Sequence, residues 1–264
     1  MRRLLVIGIG VGDPDHLTFQ AVAAMNRAEV FFLLDKGEAA AELVRLREEL
    51  LARHMRRPYR IARADSPKRD VAAPYKAGVA AWHEARAALV AGMIARELPE
   101  DGTGAFLVWG DPALYDSTLR ILDAAREAGA PAFEIEVFPG ISAVQALTSA
   151  HGIVLNTVGD PVIVTTGRRS LDDLRPDATL VAMLDDGSGL RALMARGDSL
   201  DIWWGAYLGS PDQMLAAGRL SEVGEIILER RAQARARKGW IMDVWLVRPA
   251  PPPPAPQPDG ATRP

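Results

Sequence analysis

From Leu4 to His151 the sequence alternates short apolar runs with stretches whose apolar residues recur every three or four positions. Leu4 to Ile9, ending among glycines, reads as a strand buried on both faces. Thr18 is placed to cap a helix carrying Val22, Met25 and Ala28 on one side, and Glu29 to Leu34 returns as a second buried strand. Strand, helix, strand in that order predicts a right-handed crossover and a parallel sheet. The alternation continues with an amphipathic helix over 38–53, a strand over 59–62, a long helix over 75–98 and a strand over 105–109. A helix around Leu119, Leu122 and Ala125 then leads to a strand over 133–137, whose strict alternation suggests an edge or half-exposed position, and to a helix over 142–151.

Turn residues between Gly152 and Pro161 predict a junction, which we place near Asn156. The expected organisation is an N-terminal α/β domain over 1–155 and a C-terminal α/β domain over 156–248, with strands at 162–165, 179–184, 202–208 and 240–247 and shorter helices between them. Residues 249–264 hold eight prolines in sixteen positions, which favours extended polyproline conformation and predicts a disordered tail.

Composition narrows the function. With 48% apolar residues in 264, the chain can bury a sizeable core. Thirty-one basic against thirty-four acidic residues leave a net charge of -3, so no nucleic-acid partner is expected. The absence of cysteine removes disulfides, iron–sulfur clusters, zinc–thiolate sites and thiol nucleophiles, and points to a reducing cytoplasm. The apolar stretch after Met1-Arg2-Arg3 is broken by Gly8, Gly10 and Gly12 and runs into Asp13-Pro14, unlike a signal peptide, and no run is long enough for a membrane span. His16, His54, His83 and His151 include no close pair at ligand spacing, so no metal site is expected. The adjacent carboxylates Asp172-Asp173 and Asp185-Asp186 and the basic runs 45–69 and 230–238 read by default as solvated turns and faces.

Three loops each follow a predicted strand at its carboxyl end, where open parallel sheets bind ligands. They are Gly8-Ile9-Gly10-Val11-Gly12-Asp13-Pro14, Trp109-Gly110-Asp111-Pro112 and Phe138-Pro139-Gly140-Ile141-Ser142-Ala143. The third leads directly into a helix, whose free N–H groups would receive an acceptor-rich ligand. Taken alone, the glycine triad with Asp35 about twenty residues on also fits a Rossmann-type dinucleotide site. Asp13 in the third-glycine position and Pro14 after it count against that fit, and spacing alone leaves both readings open.

The ordered set Gly10-Val11-Gly12-Asp13-Pro14, Glu29 to Asp35, Gly110-Asp111-Pro112 and Pro139-Gly140-Ile141-Ser142-Ala143 resembles the tetrapyrrole (corrin/porphyrin) methylase family over about residues 4 to 248. Asp35-Lys36-Gly37, the run from Trp109 to Ser117 and the run from Pro139 to Gly152 look most like the branch that methylates C1 of precorrin-5 and releases its C20 acetyl group as acetate. The resemblance implies two α/β domains with S-adenosyl-L-methionine in the trough between them, a C-methyltransferase of cobalamin biosynthesis, a precorrin substrate and a homodimer. Carried over by motif, the cofactor contacts would be Pro14, Trp109, Gly110, Asp111, Leu114, Ser142 and Ala143, with Met183 or Leu184 and Gly205 or Ala206 from the second domain. Asp35 would be the base, and Lys36 and Tyr115 would orient or polarise substrate. A polycarboxylate macrocycle needs guanidinium or ammonium partners, so arginines between Arg53 and Arg63 are expected to face the cleft. Another precorrin methyltransferase of the family, a non-catalytic corrinoid carrier and a nicotinamide oxidoreductase remain the alternatives.

Overall fold

A computed structural model describes residues 1–35, 41–67 and 75–250. Lys36 and the tail from Pro251 onward lie outside these, so the expectations for both are not taken further.

The first half forms β1 (Arg2–Gly8), α1 (Phe19–Met25), β2 (Val30–Asp35), α2 (Ala41–His54), β3 (Arg60–Asp65), α3 (Tyr75–Glu97), β4 (Thr103–Val108), α4 (Thr118–Glu127) and β5 (Phe133–Phe138). Its five strands make one parallel sheet in the order β3-β2-β4-β1-β5. The unbroken apolar run of β1 has a physical cause. Leu4 and Val6 enter one core layer with Phe32, Phe106, Val90 and Ile94, while Leu5 and Ile7 enter the opposite layer with Phe31, Met25, Leu50 and Leu51. Helices cover both faces, so neither face of β1 has a polar period.

The second half forms α5 (Ala143–His151), β6 (Val162–Thr166), α6 (Ser170–Asp173), β7 (Thr179–Met183), α7 (Ser188–Arg196), β8 (Leu200–Ala206), β9 (Met214–Arg219), α8 (Leu220–Lys238) and β10 (Asp243–Pro249). The sheet order is β6-β7-β10-β8-β9, parallel between β6 and β7 and antiparallel elsewhere. By packing, α5 goes with this sheet: Val144, Ala146 and Leu147 join Val181, Val244 and Leu246, and Val11 and Leu208 complete the same cluster. Residues 152–161 then connect α5 to β6.

Two elements were not anticipated. β9 is an edge strand of small residues, Leu215, Ala216, Ala217 and Gly218, and α8 runs for nineteen residues through the supposed solvated basic face. Arg231 explains the second departure. It is 6% exposed, its guanidinium donates to both carboxylate oxygens of Asp243, at 2.5 and 3.1 Å, and to the Asp185 carbonyl. Trp204 Nε1 donates to the same Asp243 carboxylate at 2.7 Å. Asp185 is likewise buried, so the reading of Asp185-Asp186 as a solvated turn is corrected for its first member: Oδ1 accepts the N–H groups of Gly187 and Gly189, and Oδ2 those of Leu190 and the Trp245 indole.

Removing one partner of a buried ion pair leaves the other charge uncompensated. Arg231→Met is therefore expected to lower the unfolding free energy by about 3–5 kcal/mol, measured by urea denaturation, and the double variant Arg231→Met/Asp243→Leu to recover most of that loss.

Candidate functional site

The strand order places β4, β1 and β5 side by side, so the three glycine- and proline-bearing loops emerge as neighbours. Gly10 and Gly110 exchange main-chain hydrogen bonds at 2.7 and 3.3 Å. A Cβ on Gly8 would lie 2.5 Å from the nitrogen of Gly140, and one on Gly140 would meet the Gly110 carbonyl and the backbone of Gly8. Gly8 and Gly140 allow three backbones to touch one another, so at these two positions a ligand is not what excludes a side chain. Asp111 locks the arrangement, accepting the Ala113 N–H at 2.7 Å and the Gly140 N–H at 2.9 Å. The start of α5 is likewise satisfied internally, since Ser142 and Gln145 form a capping box. The expectation of a row of free N–H groups there is corrected for Gly140, Ser142 and Val144, whose N–H groups already have side-chain acceptors.

Above these loops lies a cavity of about 590 Å³, within the roughly 300–1,000 Å³ of small-molecule sites. Trp109, Gly110, Asp111, Leu114 and Ser142 come from the first-sheet loops, α2 supplies one wall with Glu42 to Glu49, and Met183, Leu184, Tyr207 and Leu208 stand opposite. Gly12 and Gly209 bring the first loop against the turn after β8, where a Cβ on Gly12 would be 2.6 Å from the Leu208 carbonyl. Among the described residues, the non-glycine positions with positive φ, Tyr115, Leu184 and Tyr207 at 50–53°, all line the cavity. Left-handed backbone costs about 1–2 kcal/mol per residue, and its concentration around one cavity marks the site. Leu184 also leaves 68% of its surface exposed.

Charge completes the description. The described lining residues include Glu42, Glu49, Asp111, Asp116, Asp185 and Asp243, with Arg45 as the basic member among them. Lys238 ties α2 to the second sheet from outside, donating to Glu42 at 2.9 Å and to Asp212 at 2.5 Å over the Tyr207 ring. Burial works against its charge, yet Asp212 and Glu42 hold its pKa above the ordinary lysine value. Burial also raises the Tyr115 and Tyr207 hydroxyls. The Tyr115 hydroxyl donates to the Val164 carbonyl at 3.3 Å, so its ring reaches from the first half to β6.

Residues 3–224 match the pattern of the tetrapyrrole (corrin/porphyrin) methylases. The chain belongs to the tetrapyrrole methylase family. It is 44% identical, over 94% of its length and 95% of the other's, to a precorrin-6A synthase (deacetylating) of Sinorhizobium sp. Among solved structures, a cobalamin synthesis related protein (CobF) from Corynebacterium diphtheriae superposes with a TM-score of 0.79 at 36% identity, over 94% of this chain and 98% of that one. A uroporphyrin-III C-methyl transferase from Thermus thermophilus, complexed with S-adenyl homocysteine, shares the fold at a TM-score of 0.57 and 19% identity, over 93% and 97% of the two chains.

This tetrapyrrole methylase brings Trp109, Gly110, Asp111, Leu114, Tyr115, Ser142, Ala143, Met183 and Leu184 to the one cavity. Pro14 opens a short 3-10 turn behind the first loop, outside the lining. Gly205 and Ala206 are the buried end of β8, and the next two residues, Tyr207 and Leu208, line the cavity in their place. Asp35 ends β2 and is also outside the lining. β4 lies between β1 and β2, which separates Asp35 from the glycine loop and removes the adjacency a Rossmann site requires. The expected arginines between Arg53 and Arg63 do not line the cavity either. Arg53 pairs with Asp15, Arg60 with Glu97 and Arg63 with Glu48, because an edge strand and a helix end place them beside those acids. Sequence reading missed the α2 wall, Tyr207, Leu208 and Asp243; residues 207–211, with glycine and proline following an apolar strand, carried the only local signal.

Gly140→Ala tests the loop packing. Forcing a methyl between the Gly8 and Gly110 backbones is expected to destabilise the chain by about 1–3 kcal/mol, measured by calorimetric melting, whereas an unchanged melting temperature would show that the loops can separate without cost.

Proposed function

We propose that this chain is a deacetylating precorrin-6A synthase: an S-adenosyl-L-methionine-dependent C-methyltransferase that methylates C1 of precorrin-5 and releases the C20 acetyl group as acetate. The substrate assignment rests on the 44% identity, spread over 94% of the chain, to a protein of that activity. The cofactor assignment rests on the charge of the cavity. Among the described lining residues, Glu49, Asp111 and Asp116 carry carboxylates outside any ion pair, against the guanidinium of Arg45, a balance that favours a ligand bearing cationic groups, as a sulfonium and an amino group do, and opposes the pyrophosphate of a nicotinamide dinucleotide.

In this reading Leu114, Met183, Leu184 and Leu208 pack the apolar parts of the cofactor, the main chain of Trp109 to Asp111 fixes its polar edge, and Ser142 with Ala143 closes the base of the site. The bound cofactor supplies a methyl group activated by positive sulfur. The protein's part in that transfer is alignment, which by itself contributes roughly 7–11 kcal/mol. Rigid loops satisfied by their own hydrogen bonds suit that task. Family resemblance adds a homodimer, and the cytoplasm follows from the cysteine-free composition. Among the described residues no helix is long and apolar enough to cross a membrane.

Incubating the purified protein with precorrin-5 and methyl-labelled S-adenosylmethionine without oxygen is expected to yield labelled corrinoid and free acetate together. Cofactor binding with neither product would return the substrate to the wider family, and saturation by a nicotinamide dinucleotide in place of S-adenosylhomocysteine would end the methyltransferase reading.

Leu184→Gly separates strain from binding. The variant relieves a left-handed backbone at an exposed side chain, so stability is expected to hold while S-adenosylhomocysteine affinity, measured calorimetrically, falls about tenfold through lost apolar contact.

A further inference from the structure

The cavity carboxylates differ in what their oxygens already accept. Glu42 accepts Lys238 with both. Asp111 accepts Ala113 and Gly140, Asp185 accepts main-chain N–H groups and the Trp245 indole, and Asp243 accepts Arg231 and Trp204. Their hydrogen-bonding capacity is committed to the fold. Asp116 is different. Its Oδ1 accepts the Thr118 N–H at 2.6 Å, while Oδ2 accepts nothing among the described residues. Glu49 also has its oxygens uncommitted, but it is exposed on α2 with no hydrogen bond to hold its rotamer.

Asp116 is therefore the cavity carboxylate that is both fixed in place and open at one oxygen. Its neighbours reinforce the point. Tyr115 holds the strained φ of 52° immediately before it, and Ser117 follows as the N-cap of α4 without a side-chain cap bond of its own. Two guanidinium groups lie behind it. Arg86, 8% exposed, donates to the Ser117 hydroxyl at 3.3 Å and stacks over Trp82, and its Nε has no partner among the described residues. Arg47 donates to the carbonyls of Leu107 and Leu43. Burial disfavours both charges, and attraction to Asp116 opposes that effect in each case. These cations offset the repulsion that an anionic ring would otherwise meet at Asp116.

We propose that Asp116 is the general base for the acetyl-releasing half of the reaction, an assignment that rests on the proposed function and moves the role from Asp35, which does not line the cavity. Asp116 Oδ2 takes a proton from a water molecule as the water oxygen bonds to the acetyl carbonyl carbon. The bond from that carbon to the macrocycle breaks, and its electron pair stays with the ring that gives a pair to the incoming methyl group. Acetic acid leaves, and the proton on Asp116 passes to solvent. One water is consumed, and acetate and two protons are formed.

The test follows acetate and transferred methyl in parallel. Asp116→Asn keeps an oxygen to accept the Thr118 N–H, so its melting temperature and S-adenosylhomocysteine binding report whether the site still stands. With the site intact, acetate release is expected to fall about 10²–10⁴-fold, the ratio of acetate to transferred methyl is expected to fall with it, and Asp116→Glu is expected to restore part of the loss. Undiminished acetate release from Asp116→Asn would overturn the assignment, as would its loss only in Asp35→Asn or Glu49→Gln. Both products falling in equal proportion would place Asp116 in holding the ring instead. Wild-type protein that forms neither product would overturn the proposed function itself, and this assignment with it.

Discussion

The site depends on a close approach of three backbones. Adjacent parallel strands stand about 4.8 Å apart, so backbones of the loops leaving β4, β1 and β5 can touch only where side chains are absent at the crossing points. Gly8 and Gly140 occupy those points, and the Gly110 carbonyl is among the atoms a Cβ on either would strike. Once the loops touch, Asp111 can reach across and bind the backbone on both sides. The floor of the cavity is thus one hydrogen-bonded unit, which is how it sustains a tyrosine at positive φ on its rim.

The opposite wall reaches rigidity by another route. Asp185 gathers the N–H groups at the start of α7, Arg231 fastens the Asp185 carbonyl to Asp243, and two tryptophan indoles close the remaining acceptor positions. Burying these charges contributes little net stability compared with an apolar replacement. What it does contribute is a defined course for the chain from Met183 to Gly187, where Leu184 turns its side chain outward in a left-handed conformation. Cavity geometry on this side follows from electrostatics, and on the other side from the absence of Cβ atoms.

That contrast explains what the sequence reveals. Strand β1 and the loops after β1, β4 and β5 were legible because their signals are local: apolar runs with no polar period, and glycine or proline at the turn. α8 was obscured because its inward face includes Arg231, Gly224 and Ala234, none of which stands out as an apolar stripe. Asp185 read as a solvated turn because its partners lie as far along the chain as Trp245. Among the cofactor positions carried over by motif, those of the first half line the cavity apart from Pro14, while the pair at 205–206 stops just short of Tyr207 and Leu208. A left-handed residue after a strand leaves no mark in the residue types, so the point at which the chain turns into the cavity is set by tertiary contact.

A site that takes a cationic cofactor and a polycarboxylate ring together has to keep its own charges apart. The acidic residues here line the cavity, and most are bound into the structure, so they are not free to capture a ring nitrogen or a proton. Arg47 and Arg86 add positive charge near Asp116, where it softens the field. Arg47 on α2 and Arg86 on α3 stand outside the cavity lining. The nearby guanidinium groups lessen the repulsion a negatively charged ring meets at Asp116, whose second carboxylate oxygen has no partner among the described residues.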